Sequence, residues 1–279
     1  MIKIETESGF FIAGDVFGDI KNTPVLLLHG GGQTRHSWGM TAQLLADAGY
    51  YAIALDARGH GDSDWSKTVD YSFEAMVSDI QAVIKTLSSP PIIVGASMGG
   101  LVAMLLAGER KVEKLKAIIL VDIAPKPEQK GIERIFAFMS ANMKDGFENI
   151  NEAAEAVTKY LPHREKSNDN SRLEKNLRFR NGRYYWHWDP AMLGLWQSIT
   201  PNQAIANENR MLEAAKSIKT PTLIIRGGFS DVVSEKVMTE FTDAVPNVKS
   251  VTVSGAGHMV AGDSNHAFSN AVIDFINAL

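Results

Sequence analysis

One serine lies where an apolar strand should turn sharply into a helix. Ser97 is the centre of the motif Gly-Ala-Ser-Met-Gly, which follows the apolar run 91–94 and precedes a helical pattern at 101–107. Small residues two positions on either side of such a serine let strand and helix approach closely, and the turn lifts the hydroxyl out of the sheet. The motif and its context therefore predict a nucleophile for acyl transfer.

A serine hydroxyl is a weak nucleophile at neutral pH, so it needs a base within hydrogen-bond distance and a third group that orients the base. His258 follows the last strand-like run and is the candidate base. Two carboxylates are candidates for the third group: Asp231, a few residues after the run 223–225, and Asp122, which directly follows the run 117–121. Parallel strands end at one edge of a sheet, so these residues are expected at the same edge as the serine.

The elements that must position these residues alternate between strand and helix. Continuous apolar runs predict strands that are buried on both faces, as in a parallel sheet. The alternation stops between Pro125 and Thr220, where the patterns are helical and include a predicted helix near 172–179, and it resumes at Pro221. We interpret this segment as an insertion that forms a lid above the serine, and not as a second independent domain. The predicted divisions are 1–124 and 221–279 for the core and 125–220 for the cap.

The composition is close to that of an ordinary globular protein. Of the 279 residues, 45% are hydrophobic and 22% are charged, and the formal net charge is −4. Such a chain is not drawn to phosphate backbones or anionic lipid, and no apolar run reaches the ~18 residues of a membrane span. The absence of cysteine excludes disulfides and thiolate chemistry. We expect no nucleic-acid or membrane partner, no metal and no cofactor, and the alternating, acidic segment 1–7 predicts the first strand of a cytoplasmic protein.

Several motifs together resemble those of the α/β-hydrolase fold, over nearly the whole chain. They are the His-Gly-Gly turn at 29–31, the Arg-Gly-His-Gly-Asp-Ser loop at 58–63, the turn at Ser97, and an acid and a histidine after the last two strands. The resemblance implies an α/β architecture, a mostly parallel eight-stranded sheet flanked by helices, with a helical cap inserted after strand 6. It also places His29 and His60 in oxyanion-loop and structural turns, and not in the role of the base.

The resemblance implies a triad in the chain order serine, acid, histidine. The acid of this family commonly stands three residues after the glycine that ends its strand. Counted from Gly227 that position is Ser230, and Asp231 fits only when the count starts at Gly228. Asp122 therefore stays open as the alternative acid. The implied triad is Ser97, Asp231 and His258.

Acyl transfer also needs hydrogen-bond donors aimed at the developing oxyanion, each worth roughly 3 to 4 kcal/mol where this has been tested. In the resembling family these donors are backbone N–H groups. One is implied at Met98, the residue after the nucleophile, and the other in the loop after the third strand. In that loop we expect Gly31 to donate, with Gly32 as the alternative.

A serine at the turn excludes the usual aspartate-based mechanisms of epoxide hydrolases and haloalkane dehalogenases. The resemblance then implies a carboxylesterase that acts on small or medium esters or lactones through an acyl-enzyme on Ser97. A carbon–carbon bond hydrolase, a perhydrolase or haloperoxidase, and a hydrolase-fold ligand receptor are the alternatives. The expected partner is a small-molecule substrate, and the chain is expected to be a monomer or a homodimer. The candidate substrate contacts are Trp38, Trp186 and Trp188.

Overall fold

The computed structural model of the chain describes residues 1–7, 9–162, 170–245, 248–263 and 265–279. The central strands of this part consist of apolar residues that are almost wholly buried, as their continuous apolar runs predict. The strands are β1 (Ile2–Glu5), β2 (Phe11–Phe17), β3 (Pro24–Leu28), β4 (Tyr51–Leu55), β5 (Ile92–Ala96), β6 (Ala117–Val121), β7 (Leu177–Arg180), β8 (Arg183–Trp186), β9 (Thr222–Gly227) and β10 (Val248–Val253).

The main sheet has eight strands in the order β1-β2-β4-β3-β5-β6-β9-β10. Strand β2 pairs antiparallel with β1 and β4, and the other neighbouring strands pair parallel. The predicted mostly parallel, eight-stranded sheet is confirmed. Because parallel strands end on the same side, the loops that follow β3, β5, β6, β9 and β10 meet at one edge of the sheet.

Several helices are preceded by an N-cap residue whose side chain accepts a hydrogen bond from a backbone N–H group of the first helical turn. The Ser72 side chain accepts from the N–H of Ala75, and Thr200 forms a capping box with Gln203. The helices are α1 (Gly39–Asp47), α2 (Phe73–Lys85), α3 (Met98–Gly108), α4 (Gln129–Ser140), α5 (Ile150–Tyr160), α6 (Pro190–Gln197), α7 (Pro201–Lys216), α8 (Glu235–Ala244), α9 (Val260–Asp263) and α10 (Asn265–Asn277).

Helices cover both faces of the sheet and create two hydrophobic cores. Successive side chains of a strand point to opposite faces. In β3, Val25 and Leu27 therefore belong to a core that includes residues of α1 and α10, whereas Leu26 and Leu28 belong to a core that includes residues of α2 and α3. The second core also contains residues from the segment between β6 and β9, so that segment and the sheet share one apolar interior.

The segment between β6 and β9, which was predicted to be the cap and is called the cap below, contains a two-stranded sheet as well as helices α4 to α7. The helix predicted near 172–179 is wrong. A 3-10 turn at Ser171–Asn176 leads into the antiparallel strands β7 and β8. The turn between them is Asn181-Gly182, and both residues have positive φ, at 51° and 78°. An Asn-Gly pair favours such a two-residue hairpin turn, so the sequence held a signal for this hairpin.

Within the described part of the chain, the helices are too short or too polar to cross a membrane. The longest described helix, α7, has 16 residues, and many of them are polar or charged.

Candidate active site

Ser97 lies in a strained turn between β5 and α3. Its backbone has φ 45° and ψ −114°, a conformation that a residue with a side chain rarely adopts. The turn has no room for larger neighbours: a Cβ atom on Gly95 would lie 2.3 Å from the carbonyl oxygen of Gly99, and one on Gly99 would lie 2.5 Å from that of Leu28. The two glycines of the motif therefore permit the close approach of strand, helix and β3 that the turn requires.

His258 lies in the loop after β10, and its side chain pairs with Asp122. The Nδ1 atom of His258 is 2.7 Å from Oδ2 of Asp122, which directly follows β6. The Asp122 carboxylate is completely buried, and its Oδ1 atom accepts a hydrogen bond of 2.9 Å from the N–H of Gly227. A carboxylate acceptor at Nδ1 places the ring proton there, so the Nε2 atom of neutral His258 keeps its lone pair and can act as a base.

Asp231 pairs with Arg134 whereas His258 pairs with Asp122, and this arrangement favours Asp122 over the expected Asp231 as the acid. Its carboxylate forms a two-point ion pair with Arg134 of α4, with Nε to Oδ2 at 2.6 Å and Nη2 to Oδ1 at 3.0 Å. The Asp231 side chain is also 35% exposed to solvent. The carboxylate that orients the histidine ring comes from the end of β6, at Asp122, and the loop after β9 contributes Ser230, whose hydroxyl donates a hydrogen bond to that carboxylate.

The glycine loop after β3 is the segment expected to supply one of the two oxyanion donors. The N–H of Gly30 donates to Oε1 of Gln33 at 2.8 Å, and that of Gly32 donates to Nε2 of His60 at 3.2 Å. Among the hydrogen bonds between described residues, the N–H of Gly31 has no acceptor, which favours Gly31 over Gly32 as the expected donor. Met98 is the first residue of α3, so its N–H has no carbonyl partner within the helix and lies at the positive end of the helix dipole.

Side chains from the cap cover this loop. The atoms nearest to a Cβ built on Gly31 are Sδ of Met139 at 3.5 Å and an indole carbon of Trp196 at 3.7 Å. Met139 lies on α4 and is 1% exposed, and Trp196 lies on α6. An additional contact joins Met139 to Gly32. Met139 and Trp196 therefore lie near the glycine loop, although the sequence analysis did not single them out as substrate contacts.

The three tryptophans expected to contact substrate occupy different places. Trp38 is fully buried in the core that includes residues of α1 and α10, and the centroid of its ring is 5.9 Å from that of Phe268. This position contradicts a role for Trp38 in substrate binding, because the side chain is part of the packing between α1 and α10. Trp186 and Trp188 stack on each other at 5.0 Å inside the cap, and both pack against Phe138.

Three buried histidines connect the glycine loop to the cap. The ring centroids of His29 and His60 are 5.0 Å apart, and those of His60 and His187 are 5.7 Å apart. Each ring accepts a hydrogen bond from a backbone N–H, from Ala57, Gly32 and Gly61 respectively. Burial lowers the pKa of all three rings, for His60 to about 3, so they are neutral near pH 7.

The loop at 58–63 is held by charged side chains on both sides. The Arg58 guanidinium makes two hydrogen bonds to the buried carboxylate of Asp79 on α2, at 2.6 and 2.7 Å. From the cap, Arg178 of β7 donates to the carbonyl oxygen of Gly61 and, at 2.9 Å, to Asp62. Arg178 and His187 therefore fix the cap to the core at this loop, a role that nothing in their local sequence signals.

Comparisons with known proteins agree with this architecture. The mouse protein named sn-1-specific diacylglycerol lipase ABHD11 is 30% identical, over 93% of this chain and 82% of its own. Esterase Rv0045c of Mycobacterium tuberculosis is 26% identical, over 89% of this chain and 80% of its own. The crystal structure of E-2-(acetamidomethylene)succinate hydrolase shares the fold, with a TM-score of 0.86 at 22% identity, over 99% of this chain and 98% of that chain.

The two curated relatives are named as an esterase and a diacylglycerol lipase. A family model described as alpha/beta hydrolase fold matches residues 23–264, which is most of the chain. The chain belongs to the alpha/beta hydrolase family.

Proposed function

We propose that this protein is a serine hydrolase, a carboxylesterase that cleaves small or medium esters or lactones through an acyl-enzyme on Ser97. The observation that carries the proposal is the contact of 2.7 Å between His258 and the buried Asp122, at the sheet edge where Ser97 lies. A histidine whose Nδ1 proton is held by a carboxylate has the tautomer that a general base needs. Esterases among the relatives support the same reaction class.

The proposed reaction has two steps. In the first, Nε2 of His258 takes the proton of the Ser97 hydroxyl as its oxygen attacks the ester carbonyl carbon, and the same proton is then given to the leaving alcohol. The N–H groups of Gly31 and Met98 stabilise the oxyanion that forms. In the second, His258 takes a proton from water as the water attacks the acyl-enzyme, and Ser97 regains its proton when the acid leaves. Asp122 keeps the ring oriented and stabilises its positive charge.

The residues of the cap near the glycine loop suit an uncharged acyl group, which is the part of the substrate that we expect to bind there. The side chains nearest to a Cβ atom built on Gly31 are Met139 and Trp196, and the neighbouring part of α4 carries Phe136 and Phe138. The nearby cation of this helix, Arg134, is paired with Asp231. Apolar, aromatic walls exclude water and select acyl chains by volume, with one methylene worth ~1 to 3 kcal/mol.

A substrate panel tests the proposal. We expect the wild type to hydrolyse p-nitrophenyl esters or simple lactones repeatedly, and to leave an epoxide unchanged. Ser97→Ala should lower kcat by about a thousandfold or more, because the loss of a triad member elsewhere has such an effect. An intact protein that releases at most one product molecule per chain, or a Ser97→Ala variant as active as the wild type, contradicts the proposal. The first of these outcomes would indicate a ligand receptor.

A further inference from the structure

The hydroxyl of Ser230 has a direction that its surroundings determine. Its Oγ atom accepts hydrogen bonds from the N–H groups of Val232 at 3.1 Å and Val233 at 3.0 Å. A hydroxyl has two acceptor lone pairs and one proton. Since both lone pairs are engaged by backbone donors, the proton is left for the remaining neighbour, which is Oδ2 of Asp122.

The same carboxylate oxygen also accepts a hydrogen bond from His258. Oδ2 of Asp122 accepts from the hydroxyl of Ser230 and from Nδ1 of His258, while Oδ1 accepts from the N–H of Gly227. Three donors on a completely buried carboxylate hold one rotamer and spread its negative charge. Of the three, Ser230 contributes the side chain that can be removed without changing the strand or the base.

We propose that Ser230 is a positioning residue, which holds the Asp122 carboxylate towards His258 and sets the basicity of that pair. The inference rests on the proposed function, in which Asp122 is the acid. It explains how the loop after β9 contributes to catalysis although its own carboxylate, on Asp231, is paired with Arg134. Ser230 is three residues after Gly227, so the place where the family commonly has its acid holds a hydroxyl that supports an acid from β6.

The loss of this donor has a predictable effect on protonation. Without the Ser230 proton, more negative charge remains on Oδ2 of Asp122, which stabilises the protonated form of His258. We therefore expect the acidic limb of the kcat/KM profile to move to higher pH. The other charged groups next to this loop are Arg226, whose Nε donates to the carbonyl oxygen of Val233, and the ion pair of Arg134 with Asp231. The substitution leaves all of them in place.

The test compares two substitutions at position 230 with a control in the same loop. Ser230→Ala should lower kcat/KM at pH 7 by about tenfold, the usual effect of one hydrogen bond to a charged group, and should move the acidic limb upward. Ser230→Thr keeps the hydroxyl and should restore both. Ser234→Ala is the control, because its hydroxyl bonds to Glu128 and the N–H of Val237 but not to Asp122. It should leave the pH profile unchanged.

Two results overturn the inference. One is a folded Ser230→Ala variant with the rate and the pH profile of the wild type. The other is a loss of activity that is equal at every pH and that Ser234→Ala shares, because this pattern indicates a structural role only. If Ser97→Ala keeps wild-type activity, the proposed function itself is wrong, so the failure of that proposal is distinguished from the failure of the role of Ser230.

A second variant keeps the inference testable if Ser230→Ala does not fold. In the double variant Asp122→Asn/Ser230→Asp, we expect the new carboxylate to lie beside the position of Oδ2 of residue 122. It should accept hydrogen bonds from the N–H groups of Val232 and Val233. We expect at least a tenfold gain in kcat/KM over Asp122→Asn alone. No gain in a double variant with a wild-type circular dichroism spectrum counts against the inference.

Discussion

Asp122 and Asp231 have opposite surroundings, although the chain places both of them just after a strand. Asp122 is completely buried and bonds to His258, whereas Asp231 is 35% exposed and bonds to Arg134. A buried carboxylate that accepts three hydrogen bonds is held in one position, whereas an exposed ion pair contributes little to stability. The sequence position of the two aspartates does not predict this difference, because the surroundings of each carboxylate depend on which loops meet in space.

The first prediction follows from this contrast. Asp122→Asn should lower kcat by about 10⁴-fold, since an amide at this position no longer favours the required tautomer of His258. Asp231→Asn is the matched control and should stay within a few-fold of the wild type. Steady-state kinetics of both variants on one p-nitrophenyl ester, with circular dichroism to verify folding, decide the point. A nearly inactive Asp231→Asn beside an active Asp122→Asn would return the acid to the loop after β9.

At the scale of elements, helix α4 joins the cap to the loop after β9. The N–H of Glu128, just before α4, donates to the carbonyl oxygen of Val232 at 2.8 Å. Gly131 lies so close to Asp231 that a Cβ atom there would be 2.3 Å from its carbonyl oxygen. Together with the pair of Arg134 and Asp231, these contacts fix the helix whose other end places Met139 over the glycine loop.

The second prediction concerns selectivity for acyl chains. Met139→Ala should enlarge the space beside Gly31, and we expect kcat/KM to rise relative to the wild type for longer or branched acyl groups, by about tenfold per accommodated methylene. Trp188→Ala instead creates a cavity inside the cap and should lower the free energy of unfolding by about 3 to 5 kcal/mol. We expect it to change kcat/KM by the same factor for every acyl-chain length. An acyl-chain series measured on both variants tests this. Equal factors for Met139→Ala would refute the assignment, and a chain-length preference altered by Trp188→Ala would return that tryptophan to the substrate pocket.

The elements themselves were predictable where a periodic pattern was long. The buried strands β3 to β6 and helix α2 follow from continuous apolar runs and from helical spacing. The hairpin of β7 and β8 was missed because its strands have only four residues each. Tertiary packing decides such short segments: Phe147 pairs with Tyr184, and Trp186 packs on Phe138.

At the scale of the whole molecule, the turn at Ser97 and the alternation of strands and helices followed from local sequence patterns, whereas the acid and the cap contacts did not. A glycine motif between a strand and a helix predicts its own geometry. The partner of His258 depends instead on the register between β6 and β9, in which Val121 lies opposite Ile225 and brings Asp122 next to Gly227. Long-range contacts of this kind leave no periodic signal in a single sequence.

The third prediction concerns stability against acid. Burial lowers the pKa of His29, His60 and His187 in the folded state, and each returns to about 6.5 in the unfolded chain. The unfolded chain therefore binds more protons below pH 6.5, so the stability that these neutral rings contribute is present above that pH and is lost as the pH falls. Each histidine adds a slope that approaches about 1.4 kcal/mol per pH unit.

Urea unfolding between pH 7.5 and pH 5 measures this slope, in a range where most carboxylates stay ionised. His60→Asn should be less stable at pH 7.5 but should show a shallower dependence on pH. His266 is exposed on α10, and His266→Gln is the matched control that should keep the wild-type slope. An unfolding free energy that does not fall between pH 7 and pH 5 is incompatible with three neutral, buried rings.

The most direct measurement of the central claim is the mapping of a covalent adduct by mass spectrometry after treatment with a fluorophosphonate. The account predicts one adduct per chain, on the peptide that contains Ser97, with loss of ester hydrolysis in parallel. Ser97→Ala should carry no adduct, and Asp122→Asn should react more slowly at the same serine because its base is weakened. An adduct on another residue, or active protein that the reagent leaves unmodified and uninhibited, would contradict the account.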